Sequence, residues 1–178
     1  MTIHLWHHLE PGPNPPDSLN AVIEVPKHSR NKYEYSKIDG VIKLDRVLYS
    51  SIYYPGDYGF IPQSYSEDND PLDVIVMINE PTFPTCVIEV RPIGMLRMVD
   101  KGEPDAKILA VPQRDPMFNE YFKLEDLPNH YLREVEHFFG TYKQLEGVSV
   151  EDLSWCDLED ARTEIMTALD RYKKIFGK

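Results

Sequence analysis

The stretch EDNDPLDVIVM, residues 67–77, places Asp68, Asp70 and Asp73 within six positions, just ahead of an apolar run. In extended backbone, residues two apart share a side, so Asp68 and Asp70 face one way, and Pro71 supplies a bend that can bring Asp73 round to them. Three converging carboxylates suit a hard divalent cation such as Mg²⁺ or Ca²⁺. The competing reading is a solvated Asx-type turn. A calcium EF-hand loop starting at Asp68 is excluded, because its fifth, sixth and twelfth positions are Leu72, Asp73 and Asn79. A phosphatase with a nucleophilic DxD aspartate presents it at the end of an apolar strand, whereas here the strand follows the acids.

Acid, base and phenol recur together elsewhere. VIEVPKHSRNKYEY carries Glu24, then Lys32 and Glu34 on one face of an expected strand, with Tyr33 on the other. LDRV offers Arg46, and YYPGDYGF offers Tyr54 and Tyr58 around a Pro-Gly turn. VDKGEPDAKILAV has Asp100, and Asp105 two before Lys107 on a strand face. TYK sets Tyr142 and Lys143 near a helix end. Each island alone is explained by paired surface charges or a basic last helical turn. Their shared mixture is not.

The elements that must position these groups come in two blocks. Strand-like runs rich in Val, Ile and Tyr fall at 20–25, 32–36, 41–47, 73–78, 87–99 and 107–111. Pro92 and Gly94 bend the longest of them, as at a barrel corner. After residue 125, Tyr131, Leu132, Val135, Phe138, Phe139 and Tyr142 recur at helical spacing, predicting a helix that ends near Gly147. A second helix is expected from Asp157, its N-cap, with Leu158, Ala161, Ile165, Leu169 and Tyr172 on one face. Strands first and helices later predict an α+β fold, a small closed sheet with helices outside. Residues 1–178 read as one domain with 1–18 as an extended, Pro-rich N-terminal arm, and His4, His7 and His8 lie in what reads as a frayed polar terminus.

The formal net charge of −11 sets most of this surface against a long polyanion such as duplex DNA. Cys86 and Cys156 stand alone, without disulfide or zinc spacing. No basic start followed by a long apolar segment opens the chain, and no apolar run approaches the roughly 20 residues that span a bilayer. The expectation is a cytoplasmic protein that binds neither nucleic acid nor membrane.

At this point the residues resemble a known family. EDNDPLDVIVM fits the signature of family I soluble inorganic pyrophosphatases: Asp, any residue, Asp, Pro, an apolar residue, Asp. VIEVP before KYEY, DR before YYPGDYGFIP, DAKILAVP after an acidic loop, and HFFGTYK follow in family order, covering roughly residues 15 to 175. The resemblance implies a closed five-stranded OB-like β-barrel with helices packed outside. It also implies hydrolysis of pyrophosphate to two phosphates by a metal-activated hydroxide in direct in-line attack, with three or four Mg²⁺ ions per site, Mn²⁺ or other divalent ions being possible. Carried over by residue, Asp68, Asp73 and Asp105 would hold the first metal, with Asp73 bridging to a second. Asp100 and Asp105 would anchor a third, and Glu24 would orient another largely through water; Glu34 belongs to the same metal-lined cavity. Lys32, Arg46, Tyr142 and Lys143 would grip phosphate oxygens, Tyr54, Tyr58 and Lys107 would order the cavity, and Asp70 would take the proton of the attacking water. The family also implies a homo-oligomer, a hexamer being favoured.

A charge count bears on that implication. The implied site holds seven carboxylates against four cations, a formal charge of −3. Three or four Mg²⁺ bring it to about +3 to +5, close to neutralising a fully ionised pyrophosphate. Where many family members carry a second acid after the aspartate at Asp100, this chain has Lys101. Asp57, between the two tyrosines, has no assigned role beyond that of a turn residue, and Trp6 and Trp155 read as packing or interface residues. Two rivals are weighed: an OB-like binding module for single-stranded nucleic acid, opposed by the acidic surface, and a metal-binding structural protein, opposed by the phosphate-gripping cations.

Overall fold

A computed structural model describes residues 3–177. Runs of Val, Ile and Leu form β1 (Leu19–Val25), β5 (Asp73–Val76), β6 (Val87–Asp100) and β7 (Glu103–Pro112), joined by β4 (Asp57–Phe60). These five close into a ring: β1 pairs with β4, β4 with β5, β5 with β7, β7 with β6, and β6 back with β1. Every pairing is antiparallel except β5 with β7, which is parallel and sets Asp73 beside Lys107. Closure removes the open edges that a five-stranded sheet would leave. The fold is α+β, with a closed OB-like barrel, as expected.

Two further strands, β2 (Asn31–Tyr35) and β3 (Ile42–Val47), form a separate hairpin with Lys32 opposite Arg46. The bend expected at Pro92 and Gly94 is a bulge, where the β6–β7 register shifts. Gly94 has no room for a side chain, since a Cβ there would stand 2.5 Å from Leu124.

Alternation divides the apolar side chains of β5 and β7 between two cores. Val74, Val76, Ile108 and Ala110 pack with Ala161, Ile165 and Leu169 of α2 (Leu158–Phe176). Ile75, Leu109 and Val111 pack with Val135, Phe138 and Phe139 of α1 (Asn129–Thr141). Each fully buried aliphatic side chain contributes roughly 1.5–3 kcal/mol before entropy is charged against it. The Asp157 side chain caps α2 by accepting from the Asp160 amide at 3.0 Å, as its position predicts.

Several elements differ from expectation. Residues 57–60 are a fully buried barrel strand where a turn was expected, and β8 (Val150–Cys156) lies along β6 where no strand was expected. Helix α1 stops at Thr141; Tyr142 caps it, and a short 3₁₀ turn at Gln144–Glu146 carries the chain to Gly147 in the left-handed conformation. The terminus around His4 is not frayed. Trp6 is buried, and its indole N–H donates to the Ser64 carbonyl at 2.9 Å. The His4 and His7 rings stack at 4.6 Å, and His7 Nδ1 lies 2.6 Å from the Tyr172 hydroxyl. Asp57 is not a turn residue either: it is fully buried and accepts from the Lys27 amide at 2.7 Å and from the Thr82 amide and hydroxyl at 3.0 and 2.5 Å. Among the described residues no helix is long and apolar enough to cross a membrane.

Candidate active site

The parallel pairing of β5 and β7 builds the centre of the site. Asp73 opens β5 directly beside Lys107, and Asp105 lies two residues earlier on the same face of β7. Lys107, with 2% of its side chain exposed, donates to Asp73 Oδ2 at 2.8 Å and to both Asp105 oxygens at 3.0 and 3.1 Å. The Tyr58 hydroxyl, brought in by β4, donates to Asp73 at 2.6 Å and accepts from Lys107 at 3.1 Å. The Lys107 ammonium also lies 5.1 Å from the Phe139 ring centre. Burial alone would push Lys107 down, but Asp105 and then Asp73 outweigh it and hold it well above its ordinary value. Burial, and next the charge of Asp73, raise the Tyr58 phenol, so it stays a donor.

A cavity opens beside this cluster. Glu24, Lys32, Glu34, Tyr58, Asp68, Asp70 and Asp73 line it, together with Lys37. The Tyr35 amide donates to Glu24 at 2.6 Å, yet burial pushes the Glu24 carboxyl up to about 8. Asp68 and Asp105 are raised as well, first by burial. The acidic turn is held by its own backbone: Asn69 adopts φ 68°, the Ser66 amide donates to the Asp70 carbonyl at 2.8 Å, and the Asp70 amide donates to Asp68 Oδ1 at 3.1 Å.

The remaining expected residues stand on adjoining elements. Lys143, just past α1, pairs with Asp100 at the end of β6. Tyr142 is buried, within electrostatic reach of Lys107, Asp100, Asp105 and Asp73. Tyr54 packs on Phe138 at 4.6 Å and on Tyr58 at 5.4 Å. Arg46, on β3, donates from Nε to Glu146 at 3.0 Å and pairs with Asp45, which also stands 3.7 Å from Lys32. Lys32 pairs with Glu34. Sequence reasoning missed Lys37, Asp45 and Glu146, which belong to this network. No spacing signals them, since each finds its partner through tertiary contact.

Among the described residues no three acidic, histidine or cysteine groups form a ready-made ligand cluster; Lys107 stands between Asp73 and Asp105 and Lys143 on Asp100. The donor chemistry nevertheless fits a hard divalent cation. Every acid at the site offers oxygen, and Asp100 Oδ1 is buried with no hydrogen-bond partner, an acceptor with capacity to spare.

The family model for inorganic pyrophosphatase matches residues 21–173. The inorganic pyrophosphatase of Haloferax volcanii is 50% identical over 177 residues, covering 98% of this chain and 99% of its own. That of Methanosarcina mazei is 54% identical over 152 residues, covering 85% and 90%. The crystal structure of inorganic pyrophosphatase from Thermus thermophilus superimposes with a TM-score of 0.92 at 42% identity, covering 96% of this chain and 99% of that one. An OB-like barrel with an acid-lined cavity beside a buried lysine is thus the scaffold of a metal-dependent hydrolase. The chain belongs to the family I soluble inorganic pyrophosphatases, enzymes that hydrolyse pyrophosphate.

Proposed function

We propose that this cavity hydrolyses pyrophosphate to two phosphates by direct in-line attack of water, without a covalent enzyme intermediate. The observation that carries the reading is the Asp73–Lys107–Asp105 link on the parallel strand pair, flanked by Tyr58 and opening onto Asp68 and Asp70. Asp68, Asp73, Asp100 and Asp105, with Glu24 and Glu34, would hold three or four Mg²⁺ ions. Divalent cations held there would neutralise phosphate charge and lower the pKa of water near neutral pH.

The protein's own groups do the rest. Lys107 fixes two of the carboxylates at a set separation, and its charge opposes the rise that burial imposes on Asp105. Tyr58 holds one Asp73 oxygen in place. Lys32 and Arg46, facing each other across the β2–β3 hairpin, and Lys143 with Tyr142 from the end of α1, grip phosphate oxygens. Lysine and arginine suit this task because they donate and do not compete as metal ligands. Asp70 lies on the cavity wall as a carboxylate outside the Lys107 cluster, placed to take the proton of the attacking water.

Phosphate release from pyrophosphate, with Mg²⁺ and with excess EDTA, tests the reading. Fast release abolished by EDTA is expected; no release from folded protein in Mg²⁺ or Mn²⁺ would end it. Asp70→Asn should lower turnover by roughly two to four orders of magnitude while metal-dependent pyrophosphate binding survives. The reading takes residues 1–178 as one pyrophosphatase domain acting in the cytoplasm as a homo-oligomer, hexameric for preference, which light scattering on the purified protein would check.

A further inference from the structure

We infer that Lys37 is a positioning residue for the reaction: from the β2–β3 hairpin it holds the Asp70 side chain at the cavity. This rests on the reading of Asp70 as proton acceptor. Lys37 sits in the turn of the β2–β3 hairpin, where the Ser36 amide donates to the Val41 carbonyl and the Gly40 amide to the Ser36 carbonyl, both at 2.8 Å. Its ammonium pairs with the Asp70 carboxylate, and both side chains line the cavity. The Asp70 backbone is fixed by its own turn, but its carboxylate is tied to a different element.

The N-terminal turn braces both ends of that tie. On the hairpin side, His4 Nε2 lies 2.9 Å from the Lys37 carbonyl oxygen, the Leu5 amide donates to the Tyr35 hydroxyl at 2.9 Å, and the Trp6 ring centre is 6.0 Å from the Lys37 ammonium. On the acidic side, the Trp6 indole donates to the carbonyl of Ser64, whose hydroxyl accepts from the Leu72 amide at 2.8 Å, bracketing the loop that carries Asp70. Stability does not account for the pair. Its side chains are 40% and 53% exposed, and ion pairs so exposed are worth about 0–1 kcal/mol. Placement of a reacting group is worth far more, since an error of about 1 Å can cost roughly a hundredfold in rate.

The test is a double-mutant cycle read in kcat and KM for pyrophosphate in Mg²⁺, using Lys37→Met, Lys37→Arg, Asp70→Asn and the Lys37→Met/Asp70→Asn pair. Lys37→Met should lower kcat roughly ten- to hundredfold with KM held within about twofold, and Lys37→Arg should recover most of the loss. In the Asp70→Asn background the same change should cost less than about twofold, because there is no longer a carboxylate to aim. Unchanged kcat in Lys37→Met overturns the inference. So does a rise in KM at constant kcat, which would make Lys37 a substrate grip, and so does an equal loss in both backgrounds, with or without a fall in Tm. If Asp70→Asn itself keeps wild-type turnover, it is the underlying role of Asp70 that fails, an outcome distinct from all of these.

Discussion

Lys107 shows how a single side chain can hold a fold and a site at once. Enclosed by Asp73, Asp105 and Tyr58, it balances carboxylates that would otherwise be buried against each other. Removing one partner of such a buried arrangement costs about 3–5 kcal/mol. Lys107→Met should therefore lose about that much in urea unfolding with EDTA, and Mg²⁺ should restore part of the loss by taking over the neutralisation; a loss below about 1 kcal/mol would contradict this account. Glu24 gives a prediction in pH. Burial lifts its folded value from 4.5 to about 8, so across that interval the folded chain binds a proton that the unfolded chain has released. Its contribution to stability is full below about 4.5 and is lost as pH rises through about 8. The Tm of the wild type relative to Glu24→Gln, measured in EDTA, should fall from pH 5 to pH 9. A flat difference would mean that Glu24 ionises in the folded chain as it does in water.

At the scale of elements, Asp57 is a clasp where the sequence suggested a turn. It joins the loop after β1, through Lys27, to the loop after β5, through Thr82, at the point where β4 begins and carries Tyr58 inward. Asp57→Ala orphans three donors and should cost roughly 3 kcal/mol in urea unfolding; a loss under about 1 kcal/mol would show that water replaces the carboxylate. The same strand explains what could be read in advance and what could not. Strand β1 and the runs at 87–99 and 107–111 were legible because branched apolar residues crowd them. In contrast, β4 is four residues long, preceded by Pro55-Gly56, and holds a buried acid and a glycine. Gly59 is there because a Cβ would fall 1.8 Å from the Val22 carbonyl oxygen, a constraint invisible until β1 lies alongside. Strand β8 escaped because its first residues, Val150, Glu151 and Asp152, are half-exposed or exposed, with Asp152 at φ 53°. Of the candidate site, the acids were legible, since acids two and three apart are a local pattern. Lys37, Asp45 and Glu146 were not, because ordinary surface charges acquire meaning only from the partner across the gap.

The whole molecule carries a formal charge of −11, and much of its densest acid lies in one cavity. Self-repulsion opposes the compact state and is screened by salt. In EDTA, Tm should rise with NaCl; Mg²⁺ at a hundred times its Kd should add about 2.7 kcal/mol, roughly 5–10 °C, beyond an equal ionic strength of NaCl. Equal effects of the two salts would mean that screening alone is at work. The order of staves in the ring has a consequence for how the chain is made. Strand β7 lies between β5 and β6, so the ring has a gap until residue 112 has been synthesised. Before then the nascent chain has already displayed β5, an apolar strand with one edge unpaired, and the Asp68–Asp73 acids beside it. At roughly 5–20 residues per second, the 36 positions from the end of β5 to the end of β7 take seconds to emerge. Charges flanking an unpaired apolar strand oppose edge-to-edge pairing, and here any neighbouring nascent chain approaching β5 meets the like charge of Asp68, Asp70 and Asp73 first.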